Sequence, residues 1–128
     1  MSRLRDDRGS STLEFALVSP VLAVVGALGV QVALWAHAQN VAQAAAQQGA
    51  RALAAADGAA VDGQQRTRDY QTILGPRMLQ NVDVHTERTA ASAEVQVRGT
   101  VVSLLPGLTF HVSERARQQR EQFQPDLP

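Results

Sequence analysis

Cysteine is absent from this chain, so no disulfide constrains any part of it. Any domain it forms has to draw its stability from packing on its own helices or on neighbouring subunits. Lysine is absent too, every basic residue being arginine, and acidic and basic residues balance at 12 each. That balance gives no reason to propose nucleic acid or an acidic polymer as a partner. A third absence is positional: after Glu14, no Asp, Glu, Lys or Arg occurs until Arg51. Residues 15–38 of that gap are predominantly apolar, and at about 1.5 Å per residue in a helix they exceed the roughly 30 Å hydrocarbon core of a bilayer. The sequence therefore predicts one membrane-spanning helix. In a chain of 128 residues this leaves about 85 outside the membrane, enough for one small domain and no second one.

Arg3, Arg5 and Arg8 precede the span, whereas only Arg51 follows it closely, so the positive-inside rule orients the N-terminus to the cytoplasm and the rest outside it. Ala36-His37-Ala38 has the small-residue spacing of a signal-peptidase site, but the helical pattern continues beyond it. Glu14 stands at the mouth of the apolar run, where desolvation of a carboxylate begins to cost. It also stands near the predicted helix start, where Ser10, Ser11 or Thr12 would cap free amides and a negative charge complements the dipole.

The surroundings of Glu14 support a second reading. A short charged leader ends in Arg8-Gly9, followed by Ser10-Ser11-Thr12, Leu13, Glu14-Phe15 and the long apolar helix. This arrangement resembles the N-terminus of the type IV prepilin superfamily, and most closely the TadE-like pseudopilins of tight-adherence (Tad) pilus systems, over roughly residues 5–57. The resemblance implies that a prepilin peptidase cuts between Gly9 and Ser10 on the cytoplasmic side, which places Glu14 at the family's fifth mature position. It further implies an assembly or processing role for Glu14 and Phe15. Partners would be the lipid bilayer, other pilin or pseudopilin subunits and Tad-type inner-membrane assembly proteins. Ser10 departs from the bulky apolar residue expected after the cut. Phe15 stands where the major pilins carry tyrosine, which implies a minor component of the pilus or secretion apparatus.

Within the span, Ser19, Ala23, Gly26, Gly29, Ala33 and Ala36 recur at steps of three and four. Small residues along one side let a second helix approach closely, although Ala and Gly are also simply common in such spans. Pro20 removes an amide donor one turn after Phe15 and would loosen or kink the helix. Trp35, the only tryptophan, reads as an anchor at the outer interface. Beyond it the helix becomes amphipathic: Gln39, Asn40, Gln43, Gln47, Gln48 and Arg51 take one half of the wheel, and Ala38, Val41, Ala42, Ala45, Ala46, Gly49, Ala52 and Leu53 the other. Asp57-Gly58 supplies a stop.

A shorter helix is predicted over residues 62–79, with Val61, Tyr70, Ile73, Leu74, Met78 and Leu79 as its apolar positions and Gly75-Pro76 as a break. Residues 82–86 and 93–98 alternate apolar and polar with a period of two and read as paired antiparallel strands joined through 88–91. Residues 100–105 extend the second strand, Pro106-Gly107 turns the chain, and residues 108–112 begin a third. The run after Ser113 is polar and reads as a disordered tail or a solvated helix. The fold class is therefore α+β: a long transmembrane helix continuing as an amphipathic one, a second short helix and an antiparallel sheet of about three strands. The expected division is a leader at 1–9, the long helix at 10–57, an extracytoplasmic domain at 58–118 and a tail at 119–128.

The same sequence offers little to chemistry. His37, His85 and His111 lack the close spacing of a zinc motif; His85 and His111 would meet, with Glu114 nearby, only if their strands were neighbours. Ser103 and Ser113 have no glycine-framed nucleophile setting, and no phosphate-cradling glycine loop occurs. No catalytic residue, metal or cofactor is expected. Two other functions remain open beside the pseudopilin: a bitopic anchor of the cell envelope that never joins a filament, and a secreted or anchored enzyme.

Overall fold

The computed structural model describes residues 7–55, 59–75 and 77–120, with side chains from residue 11 onward. The first helix, α1 (Asp7–Ala54), is 48 residues long, about 72 Å at the α-helical rise. It is followed by α2 (Ala60–Leu74) and three strands, β1 (Leu79–Arg88), β2 (Ser92–Val101) and β3 (Phe110–Gln119). The strands form one antiparallel sheet in the order β1-β2-β3. This is the α+β architecture expected from the sequence.

Two environments divide α1. From residue 11 to residue 30 its side chains are exposed apart from a half-buried Ala27, and Gln31 is the first buried one among those described. Beyond Gln31 the helix carries the domain core. Ala38, Ala42, Ala46, Ala50 and Leu53 pack with Val84, Ala93, Val95, Val97, Val101 and Val112, all nearly or fully buried. The residues of β2 alternate, odd-numbered ones facing α1 and even-numbered ones turned outward, as the period of a half-buried sheet requires. The amphipathic half of α1 read from the sequence is the half that is buried, with Ala50 added to it and Ala52 only half covered.

Several boundaries differ from expectation. The long helix begins at Asp7 rather than near Ser11, so Ser11 and Thr12 lie inside it and are not cap residues. It continues through Pro20, whose fixed φ is compatible with a helix. The Asp57-Gly58 stop and Pro76 lie outside the described residues.

The second helix ends at Leu74, capped by the Gly75 amide donating to the Gln71 carbonyl at 2.9 Å, and Leu79 belongs to β1. Of the apolar positions read from the sequence, Val61 and Ile73 are exposed (70% and 75%). The reason lies in α1, whose inner surface is alanine and glycine: a helix docking on so flat a surface presents Gly63 and Thr67, the buried residues of α2. A Cβ on Gly49 would collide with the Thr67 hydroxyl and lie 2.8 Å from the Gly63 carbonyl.

The third strand runs to Gln119 through the polar stretch expected to be a tail, and residues 121–128 lie outside the described residues. Its ladder to β2 is unbroken from Val101↔Phe110 to Ser92↔Gln119. Val112 is buried and Ala116 half-buried on the core side, so the strand needs little apolar sequence of its own.

Candidate functional site

The arrangement that bears on function is α1 together with the end of the domain that meets it. The helix is long and apolar enough to cross a membrane, and only 6% of its most apolar window is buried, unlike the core helix of a water-soluble domain. The exposed segment, residues 11–30, is about 20 residues and about 30 Å long, which matches a hydrocarbon core. The chain is a single-pass membrane protein on this evidence. Within the far part of the expected span of 15–38, Gln31, Leu34, Trp35 and Ala38 already lie against the domain.

Gln31 fixes that end. Its side-chain amide donates to the Val102 carbonyl at 3.2 Å and accepts from the Leu104 amide at 2.8 Å. One turn later the Trp35 indole N–H donates to the His111 carbonyl at 3.3 Å, and its ring packs against the core with Leu34 and Phe110. The expected interface anchor thus has its polar edge committed to the domain. Sequence reasoning passed over Gln31 entirely; the available signal was an amide inside an apolar run, a position where a polar group calls for a partner.

The other expected residues fall on the membrane part of α1. Gly9 and Ser10 lie in its first turn, where helical amides lack intrahelical acceptors. Glu14 and Phe15 are exposed on its second and third turns. Ser19, Ala23, Gly26, Gly29, Ala33 and Ala36 are all exposed, and a Cβ on Gly26 or Gly29 would meet nothing within 4 Å. At about 100° per residue this stripe lies roughly opposite the face that holds Gln31, Ala38, Ala42 and Gly49. The domain therefore leaves the small-residue side of α1 uncovered from end to end.

Among the described residues nothing comparable is assembled for chemistry. His85 pairs with Gln96 on one side of β2 and His111 with Thr100 on the other, so β2 separates the two histidines and the meeting that neighbouring strands would have allowed does not occur. His85 instead approaches Glu87 at 3.3 Å on the exposed face of β1. Among the described residues, no three His, Asp or Glu side chains converge as a metal site would need. The Ser103 hydroxyl is engaged with the backbone of Leu105, and Ser113 accepts from Gln96 at 3.2 Å. A hollow at the opposite end of the sheet is lined by Ser92, Arg117 and Arg120. Its arginines donate to the Ser92 hydroxyl (3.2 Å) and the Thr89 carbonyl (3.5 Å).

No curated protein and no solved structure matches this chain. Residues 9–51 match the family described as TadE-like protein, a segment that starts at the Gly9-Ser10 motif, includes Glu14 and the small-residue stripe, and ends three residues before α1 does. The match covers about a third of the chain, which over those residues is similar to that family.

Proposed function

We propose that this protein is a non-enzymatic minor pilin or pseudopilin, a structural component in the assembly of a Tad-type pilus or secretion apparatus. The observation that carries the reading is the coincidence of the TadE-like segment with a helix whose exposed part has the length of a bilayer. The arginines at 3, 5 and 8 favour a cytoplasmic N-terminus with the domain outside. Other pilin-type subunits would pack along the stripe from Ser19 to Ala36, which the domain leaves open, and a prepilin peptidase would act between Gly9 and Ser10.

The test is deletion and recovery in the native host. Removing the gene abolishes pili or secretion, the full chain restores them, and the tagged chain brings Tad-type inner-membrane proteins with it from detergent-solubilised membranes. Unchanged piliation, with no such protein recovered, would establish the bitopic anchor instead.

A further inference from the structure

The connection between β2 and β3 differs from the rest of the domain surface. From residue 99 to residue 113 it carries no Asp, Glu, Lys or Arg, although charged residues flank it at Arg98 and Glu114. Leu104 is 54% exposed and Leu108 47%, with Pro106 and Gly107 exposed between them. Gln31 holds the Leu104 amide at 2.8 Å, and so sets the start of this apolar loop at the level where the exposed, bilayer-length segment of α1 ends. Two exposed apolar surfaces are thus continuous: the helix below Gln31 and the loop beside it.

Several of the loop's backbone groups are bonded within the protein. The Val102 amide donates to the Met78 carbonyl at 3.1 Å and the Leu108 amide to the Leu105 carbonyl at 3.4 Å. The Ser103 hydroxyl donates to the Leu105 carbonyl at 2.9 Å and accepts from the Leu105 amide at 3.2 Å. Pro106 has no amide to satisfy, and Gly107, at φ 84°, supplies the left-handed residue that closes the turn. Backbone polar groups that approach hydrocarbon have to be bonded within the protein.

We propose that this loop inserts Leu104 and Leu108 into the headgroup and acyl boundary of the membrane on the side from which the domain emerges. The occupant is the lipid surface, because the loop adjoins the span and shares its apolar, uncharged character. Insertion gives the protein a second membrane contact beside α1. A lone helix leaves its domain free to rotate about the helix axis and to lean. A helix with an inserted loop on one side holds the domain at a fixed tilt, with the opposite side, bearing the small-residue stripe, open along the membrane plane.

This inference rests on α1 crossing the membrane, and its test separates the two. The absence of cysteine permits single labels. Leu22→Cys in the helix, Leu104→Cys in the loop and Arg66→Cys on the exposed side of α2 each carry an environment-sensitive fluorophore in the full chain. The proteins are reconstituted into phosphatidylcholine and phosphatidylglycerol vesicles containing a nitroxide lipid. The labels at 22 and 104 should be blue-shifted and quenched, and the label at 66 neither. A label at Pro106→Cys should be quenched in the same way and lose that quenching when Leu104→Asp and Leu108→Asp are added.

Quenching at 22 but not at 104 overturns loop insertion and leaves the span intact. A blue shift at 104 without lipid quenching overturns it in favour of contact with protein, a second copy included. Equal quenching at 66 overturns it by placing the whole domain in the interface. No quenching at 22 removes the span and the insertion together.

Discussion

Gln31 occupies a position where loss of one side chain frees two backbone groups. Gln31→Leu keeps the size and removes the partners of the Val102 carbonyl and the Leu104 amide. Both bonds are part-buried, so each group left unsatisfied costs at most the roughly 1–3 kcal/mol of a fully buried one. The expected result is a lower unfolding temperature in detergent and faster hydrogen exchange of the Leu104 amide, while membrane integration stays the same; unchanged exchange would show that the loop is held by other means. Gly49 tests packing in the same domain. Gly49→Val forces a side chain against the Thr67 hydroxyl and the Gly63 carbonyl, and overpacking of this kind costs about 1–3 kcal/mol. From sequence Gln31 signalled a need for a partner without saying which, and Gly49 was not legible as special. Gln31 finds its partners some 70 positions away, and Gly49 reads as one more small residue on an alanine face.

The elements were legible where periodicity alone decides them and obscure where a neighbour does. The helical wheel of residues 38–53 separates buried from exposed correctly, because α1 meets the sheet along one stripe. Alternation located the centres of β1 and β2 but not their ends. An irregularity between Gln80 and Asp83, with Asn81 at φ 50°, interrupts the period at the start of β1 and concealed Leu79 as a strand residue. In α2 and β3 the sequence misled for one reason: packing was set by the partner. Thr67 and Gly63 bury because α1 is flat, and the polar end of β3 is ordered by its ladder to β2.

The membrane half of α1 is the opposite case, with composition legible and partner absent. If the stripe is an assembly face, Gly26→Leu should leave the unfolding temperature of the domain unchanged, since nothing lies near that position, yet reduce crosslinking from neighbouring helices. Crosslinking at the wild-type level would remove the stripe from the interface and leave its glycines as ordinary residues of an apolar helix.

At the scale of the whole molecule the predictions concern direction and maturation, both read from the short region before Phe15. A reporter fused after residue 128 that works only outside the cytoplasm should be active, and protease applied to spheroplasts should remove the domain; protection of the domain would reverse the orientation and end the pilus reading. Maturation between Gly9 and Ser10 should appear as a chain starting at Ser10 in the native host and should be blocked in Gly9→Leu. Cutting there would create an α-amine of reference pKa near 7.7–8, largely protonated near neutral pH, four residues before Glu14.

In a lateral assembly that amine can pair with Glu14 of its own or an adjacent helix. A desolvated pair yields little net stability, so the role expected of it is registry between subunits. Glu14 is exposed in the isolated chain, and its replacement disturbs no packing. Glu14→Gln should therefore insert, orient and be cut as the wild type does, because a neutral residue makes insertion no harder, yet should fail to co-purify with its partners. Piliation and co-purification at wild-type level in that variant would dismiss the registry role and leave Glu14 as an exposed carboxylate at headgroup level.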